Sequence, residues 1–319
     1  MPINQMAAAY LAYFAYIDDA QPVVNPKDFV ACLSAVPQGP ANGPWTLTWG
    51  PAINNGLLAY VATGKDGTYA LAIRGTDTDD SIPAFSDNVL ADLEANAVPW
   101  VYQRTPDPTM QLSAGTNGAL ALAMCMSDPT TDVLLLDYLR SVANSGVTDL
   151  IVTGHSLGGA MTMAVTAFLS DQLPQARSGT LKLWPHSFAA PTVWSTSFAT
   201  WFMKTFTYYA AVNSNDIVPM AWNNLNGIIA LYPNPYPGAP LEVVAAIALI
   251  EPQVPPYASI TPTDEFAGNL VSTTDWYTEA ESMHSMAGQY FPHATGVPAP
   301  PIPGATTRVA AKPRLAAPR

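Results

Sequence analysis

Residues 148–169 constrain this chain more than any other stretch. Leu150 to Val152 is a short apolar run with the character of a buried strand. Gly154-His155-Ser156-Leu157-Gly158 follows at once, a Gly-x-Ser-x-Gly pattern. An Ala- and Met-rich run from Ala160 to Leu169 then reads as a helix. A serine on so tight a strand-to-helix turn sits in strained backbone geometry and needs small neighbours, which Gly154 and Gly158 supply. Its hydroxyl is left exposed above the sheet, with the N–H groups and dipole of a helix N-terminus behind it, ready for a developing oxyanion. The same five-residue pattern also arises by chance in ordinary Gly/Ser loops, and its placement between strand and helix separates the two readings.

Composition narrows what surrounds that turn. The 319 residues suffice for one large α/β domain or two small ones. Charged residues make up only 11% of the chain, well under the roughly 25% typical of soluble domains. The surface must therefore be covered by Ser, Thr, Asn, Gln and Pro. The 31 prolines are about twice the usual ~5% and point to many irregular connections. All four basic residues after residue 291 (Arg308, Lys312, Arg314 and Arg319) lie in a segment with no acids, which leaves 8 basic against 24 acidic residues, net −16, before it. Such a body repels nucleic acid and anionic membrane surfaces, and favours a neutral or cationic substrate. No apolar run reaches the roughly 18 residues of a transmembrane span, and Val243 to Ile250 is too short for one. The N-terminus lacks the basic region of a Sec signal peptide, which fits a cytoplasmic protein, a mature form or export by another route. Cys32 and Cys125 match no metal spacing and read as buried thiols, with one disulfide as the alternative.

In chain order, residues 6–18 read as an apolar helix, and a proline-punctuated loop runs to about residue 51. Leu57 to Thr63 and Thr68 to Arg74 read as strands joined by the turn Gly64-Lys65-Asp66-Gly67. Residues 77–114 have weak periodicity, many acids and scattered aromatics, which marks a functional cover or an insert. Helices are expected over 119–126 and 132–143, a strand over 179–184, a helix over 195–204 and a strand over 207–212. Strands alternating with helices predict an α/β fold with a mostly parallel central sheet covered by helices on both faces. Residues 223–262 read as irregular around one apolar helix, 241–250, and 276–290 read as a helix. The domain is expected to span 1–291, with the Pro-rich segment 292–319 as a disordered tail.

A serine nucleophile needs a base, and the base needs an orienting carboxylate. His155 lies inside the turn itself, and His186 lies near the end of the next strand. Only His284 and His293 follow the remaining candidate acids in the order Ser, Asp, His. Asp216 sits just past a predicted strand, where the crevice of an open α/β sheet forms. Asp216 as a mere turn residue is the plainer alternative.

Five separated blocks resemble the class 3 lipase family. Ile73-Arg74-Gly75-Thr76 is similar to the family's Phe-Arg-Gly-Ser/Thr strand, and Gly154 to Gly159 matches its elbow. Phe188-Ala189-Ala190-Pro191-Thr192-Val193 resembles its Phe-Gly-Ala-Pro-Arg-Val block. Asn213 to Pro219 resembles Asn-x-x-Asp-x-Val-Pro, and His284 before Tyr290-Phe291 resembles the closing His…Tyr. The resemblance implies an α/β-hydrolase fold with Ser156 as nucleophile, Asp216 as orienting acid and His284 as base. It implies an oxyanion hole from the backbone N–H groups of Thr76 and Leu157, with the Thr76 hydroxyl as a further donor. Asp92, in Asn88 to Leu93, would steady that hydroxyl; a solvated helix charge is the alternative. The chain departs from the family at Val89, where a lid tryptophan is usual, and in the length of the segment between Thr76 and Asp92.

The resemblance implies a serine hydrolase of carboxylic esters, of lipid esters first, with no cofactor and no metal. A small-ester or feruloyl-type esterase on the same scaffold is the rival within enzymes, and a silent lipid- or partner-binding protein is the rival outside them. The cover at 77–104, with Trp100 and Val101 on its apolar face, is expected to act either as a flap that opens at a lipid–water interface or as a static wall.

Overall fold

The strands here are buried on both faces, so their residues divide between two cores instead of alternating apolar with polar. In the computed structural model, which describes residues 4–17, 25–39, 41–75, 95–271 and 274–302, Leu57, Ala59 and Val61 enter one core while Leu58, Tyr60 and Ala62 enter the other. The N-terminal elements are α1 (Gln5–Phe14), α2 (Pro26–Ala35), β1 (Thr46–Asn54), β2 (Leu57–Thr63) and β3 (Tyr69–Ile73). Next come β4 (Ala97–Pro99), β5 (Gln111–Ser113), α3 (Ala114–Met124), α4 (Leu135–Asn144), β6 (Asp149–His155) and α5 (Leu157–Gln172). They are followed by α6 (Pro174–Ser178), β7 (Lys182–Phe188), α7 (Thr196–Thr205), β8 (Tyr209–Asn213), α8 (Leu225–Ile229) and α9 (Leu241–Ile250). The chain then forms β9 (Asp264–Phe266), α10 (Trp276–His284), a π-helical turn at Met286–Tyr290 and α11 (Phe291–Thr295).

Seven strands form one sheet in the order β1-β2-β3-β6-β7-β8-β9. The first three are antiparallel neighbours; from β3 through β6, β7, β8 and β9 every pairing is parallel. Helices cover both faces of this mostly parallel sheet. On one face α5 lies against β6 and β7; on the other, α1 lies against β3 and β6. Ala7, Ala8, Ala9, Ala12 and Ala15 are all fully buried, and their small side chains let α1 lie flat on the strands. Thr153, in β6, donates its hydroxyl to the Ala8 carbonyl at 3.1 Å, which satisfies a polar group between helix and sheet.

Several elements differ from the sequence expectation. The stretch read as a loop to residue 51 holds α2 and β1. Pro26 stands in the first turn of α2 and Asn25 caps it by accepting from the Lys27 N–H at 3.1 Å. That is a helix-start signal which proline density obscured. The strand placed at 179–184 runs instead from Lys182 to Phe188. The helix read over 276–290 breaks after His284, where Ser285 is extended and its side chain accepts from the Gly288 N–H at 2.9 Å.

Of the cover at 77–114, residues 76–94 lie outside the described residues. The rest is fixed: β4 and β5 pair, and Trp100 is 1% exposed with its ring 5.3 Å from Phe198. Trp100 is therefore a core anchor and not part of an outer apolar face, whereas Val101 is 67% exposed. Beyond Pro292, expected to be structureless, α11 continues to Thr295 and Tyr13 donates its hydroxyl to the Pro300 carbonyl at 2.8 Å. Burial of Phe291 against Tyr10 and Tyr13 holds this segment down. Residues 303–319 lie outside the described residues. No disulfide joins Cys32 to Cys125; Cys32 is buried, but Cys125 is exposed, contrary to the expectation of two buried thiols.

Candidate active site

Ser156 stands between β6 and α5 with φ 62° and ψ −129°, a backbone conformation that costs a non-glycine residue about 1–3 kcal/mol. The surroundings over-determine it. A Cβ on Gly154 would lie 2.3 Å from the Gly158 carbonyl oxygen, and one on Gly158 would lie 2.2 Å from the Ile73 carbonyl oxygen. The strand, the turn and the helix start thus approach closer than any side chain allows. The Ser156 N–H donates to the Phe188 carbonyl at 3.0 Å, which ties the turn to the end of β7. Leu157 is the first residue of α5, so its N–H has no carbonyl within the helix to bond. That N–H and the helix dipole supply positive potential beside the serine hydroxyl.

The carboxylate and imidazole reach Ser156 from two other places in the chain. Asp216 follows β8 and is 1% exposed; His284 ends α10. His284 Nδ1 lies 2.8 Å from Asp216 Oδ2, and His284 Nε2 lies 2.9 Å from Ser156 Oγ. With Nδ1–H donating to the carboxylate, Nε2 is left to accept from the serine hydroxyl. Asp216 is itself held: Val218 N–H donates to Oδ1 at 2.9 Å, and the Tyr290 hydroxyl donates to Oδ2 at 2.7 Å. The Tyr290 oxygen in turn accepts from the Asn213 N–H at 3.0 Å. Asn213 also donates through Nδ2 to the Met283 carbonyl at 2.9 Å, one residue before His284. Burial, then the Asp216 charge, pushes the Tyr290 hydroxyl well above its usual titration range, so it remains a donor.

The other histidines separate cleanly. His155 is buried under His284, with ring centroids 4.6 Å apart, and its Nε2 lies 2.8 Å from the His284 carbonyl. A carbonyl only accepts, so Nε2 carries the proton; burial and then His284 hold the ring's pKa well below 6.5, and the neutral Nδ1 accepts from the Tyr16 hydroxyl at 2.8 Å. His293 pairs with Asp264 at 3.0 Å and stacks on Phe266, away from the serine. His186 is buried against the Trp184 carbonyl in β7. Sequence reading singled out neither Tyr16 nor the contact of His155 with the His284 backbone. The signal for His155 is its place in the elbow, since β6 ends there with its side chain against the end of α10 that carries His284.

Thr76 and Asp92 lie outside the described residues. Gly75, just before Thr76, approaches closely: a Cβ there would lie 2.8 Å from the Ser156 Cβ. A cavity of about 280 Å³ opens beside β7 and β8, lined in part by Ser187, Thr192, Asn213 and Asp216; neither Ser156 nor His284 lines it. Among the described residues no group of three or more His, Cys, Asp or Glu is placed to hold a metal ion. No helix among them is long and apolar enough to cross a membrane.

The sequence model of lipase (class 3) matches residues 70–225, from β3 through the elbow and Asp216 to the start of α8. Over that span, just under half of the chain, the sequence is similar to the class 3 lipase family. The match ends before His284, whose place therefore rests on the geometry above. Among solved structures, M37 lipase is 21% identical, with 93% of this chain and 94% of that chain covered and a TM-score of 0.76. The nonglycosylated LIP2 lipase of Yarrowia lipolytica is 18% identical, with 68% of this chain and 73% of that chain covered and a TM-score of 0.50. These likenesses show that the α/β-hydrolase fold is shared. No curated protein sequence matches the chain.

Proposed function

We propose that the chain is a member of the class 3 lipase family and hydrolyses carboxylic esters of lipids through an acyl-enzyme on Ser156. The observation that carries the reading is the unbroken hydrogen-bonded line from Asp216 through His284 to Ser156, ending at the N-terminus of α5. In this scheme Ser156 Oγ attacks the ester carbonyl carbon while His284 Nε2 takes the hydroxyl proton. Asp216 keeps the imidazole in the tautomer with Nδ1 protonated and stabilises the imidazolium. The carbonyl oxygen becomes an oxyanion facing the Leu157 N–H, with Thr76 as the second donor. His284 returns the proton to the departing alkoxide, which leaves as the alcohol. Water then enters, gives its proton to His284 and attacks the acyl carbon; His284 reprotonates Ser156 Oγ as the carboxylic acid is released.

Neutral lipid esters are favoured over anionic substrates because the chain before residue 292 carries a net −16. The test is a turnover profile across p-nitrophenyl esters from acetate to palmitate. Rates that rise with acyl length support a lipid esterase, rates that fall steeply beyond butyrate support a small-ester enzyme on the same scaffold, and no turnover of any ester contradicts the reading.

A further inference from the structure

Helix α9 is apolar on two opposite sides. Its ten residues, Leu241-Glu242-Val243-Val244-Ala245-Ala246-Ile247-Ala248-Leu249-Ile250, contain one charged group. Val243 and Ile247 form the stripe that enters the core. Leu241, Ala245, Ala248 and Leu249 recur at the spacing of a second stripe, on the far side of the helix, and all four face solvent. Leu241 is 85% exposed and Leu249 is 72% exposed. Single exposed leucines are ordinary, but an apolar stripe about two turns long on one helix is not scatter. A helix that is apolar all round is normally buried all round.

Charge selects what covers this stripe. The Glu242 carboxylate accepts from the Tyr277 hydroxyl at 3.1 Å, and the Glu251 carboxylate, just past the helix, is bonded by the Asn226 amide. Both acids are thus engaged by the protein at the helix ends. There is no lysine or arginine anywhere between Lys204 and Arg308. An anionic bilayer would find no cation in this stretch of the chain and would meet an acidic protein, so the surface suits an uncharged lipid phase.

The first turn of α9 is also tied to the helix that carries the candidate base. Tyr277, which bonds Glu242, lies in α10, the helix that ends at His284. Val271, 61% exposed, donates its N–H to the Glu279 carboxylate in the same helix. The start of α9 and the segment at Val271 are therefore both hydrogen-bonded to the helix that carries the imidazole.

We propose that the outer face of α9 is the surface by which the protein seats itself on a neutral ester-lipid phase. This deepens the lipid-ester reading of the Ser156 site and rests on it for the meaning of the seat, though not for its existence. Each outer leucine moves from water into oil on seating, which is worth roughly a tenfold change in partition per side chain or more.

The test uses the full chain carrying Ser156→Ala, so that droplets are not consumed, in flotation with triolein droplets and with phosphatidylglycerol vesicles. The Ser156→Ala protein floats with triolein and binds the anionic vesicles at least about tenfold less. Adding Leu241→Ser and Leu249→Ser lowers the triolein partition by about a hundredfold. The same two changes in the native background leave the turnover of dissolved p-nitrophenyl acetate unchanged. If the double variant fails to fold, Leu249→Asn alone carries the test with an expected drop of about tenfold. An unchanged triolein partition overturns the proposal, and so does a dimer in water that these changes dissociate without any droplet binding, since the face then belongs to a second copy. Droplet binding by a native chain that turns over no ester would sink the hydrolase reading and leave the seat standing.

Discussion

The two halves of the candidate site are built in different ways. The serine half, β6 with Ser156 and α5, is contiguous in the chain, and backbone packing fixes it: Gly154 and Gly158 leave no room for a Cβ and Ser156 is held at positive φ. The acid–base half brings together Asp216 and His284, which are 68 residues apart, and side-chain hydrogen bonds fix it, from Tyr290 to Asp216 and from Asn213 to the Met283 carbonyl. A site fixed by backbone contacts tolerates almost no change in the residues that make them. A site fixed by side chains tolerates long insertions between its parts, and the Pro-rich stretch with α8 and α9 between β8 and β9 is such an insertion.

The comparison can be broken most visibly at the catalytic atoms. His284→Ala should lower kcat by about 10⁴-fold or more, with Ser156→Ala no worse in combination than alone, because the residues act as a unit. His293→Ala should leave kcat within about twofold, since that ring is engaged by Asp264 and Phe266; steady-state kinetics on a dissolved ester reads both. Next comes the backbone half. Gly158→Ala should destabilise the fold by about 1–3 kcal/mol or more, because the new Cβ meets a carbonyl oxygen and not a movable side chain. Chemical denaturation measures this, and a well-folded, active variant would show that the turn has slack.

The side-chain half should respond more mildly. Tyr290→Phe removes one of the donors to Asp216 and should lower kcat by about tenfold or more with little change in KM, in line with the roughly 1.5–3 kcal/mol of a hydrogen bond to a charged group. An effect on KM alone would show that Tyr290 shapes the pocket and not the carboxylate. The smallest effect is a pH slope. His186 is fully buried, and burial holds its pKa at about 4; His155 is held low for the same reason, then by His284. The unfolded chain takes up protons below about pH 6.5 that these folded rings refuse, so stability falls as pH drops from about 6.5 toward 4. His186→Leu should flatten that slope by up to about 1.4 kcal/mol per pH unit, read from unfolding free energies across the interval.

What the sequence disclosed follows the same division. The strand, elbow and helix of the serine half were legible because local periodicity and glycine spacing encode them within about twenty residues. Asp216 and His284 were narrowed by chain order and by family resemblance, but their contact was not, since no local pattern records which loop reaches which. The role of His155 was hidden for the same reason: its partner is a backbone carbonyl 129 residues away. Trp100 was read as part of an outer cover because its neighbours Val98, Val101 and Tyr102 make a continuous apolar run. Only the ring contacts with Phe198 and Tyr102 show it to be core. Helix α2 was lost among prolines, one of which starts it. The outer stripe of α9 was legible as apolar sequence but not as exposed surface, because sequence shows two apolar sides and not which of them finds a partner.

The central claim is that Ser156 is a nucleophile activated by His284, and fluorophosphonate labelling of the full chain followed by peptide mapping tests it most directly. The account predicts one adduct, on Ser156, absent in Ser156→Ala and formed orders of magnitude more slowly in His284→Ala at equal folding. An unlabelled native chain, or an adduct on another serine that survives Ser156→Ala, would contradict it.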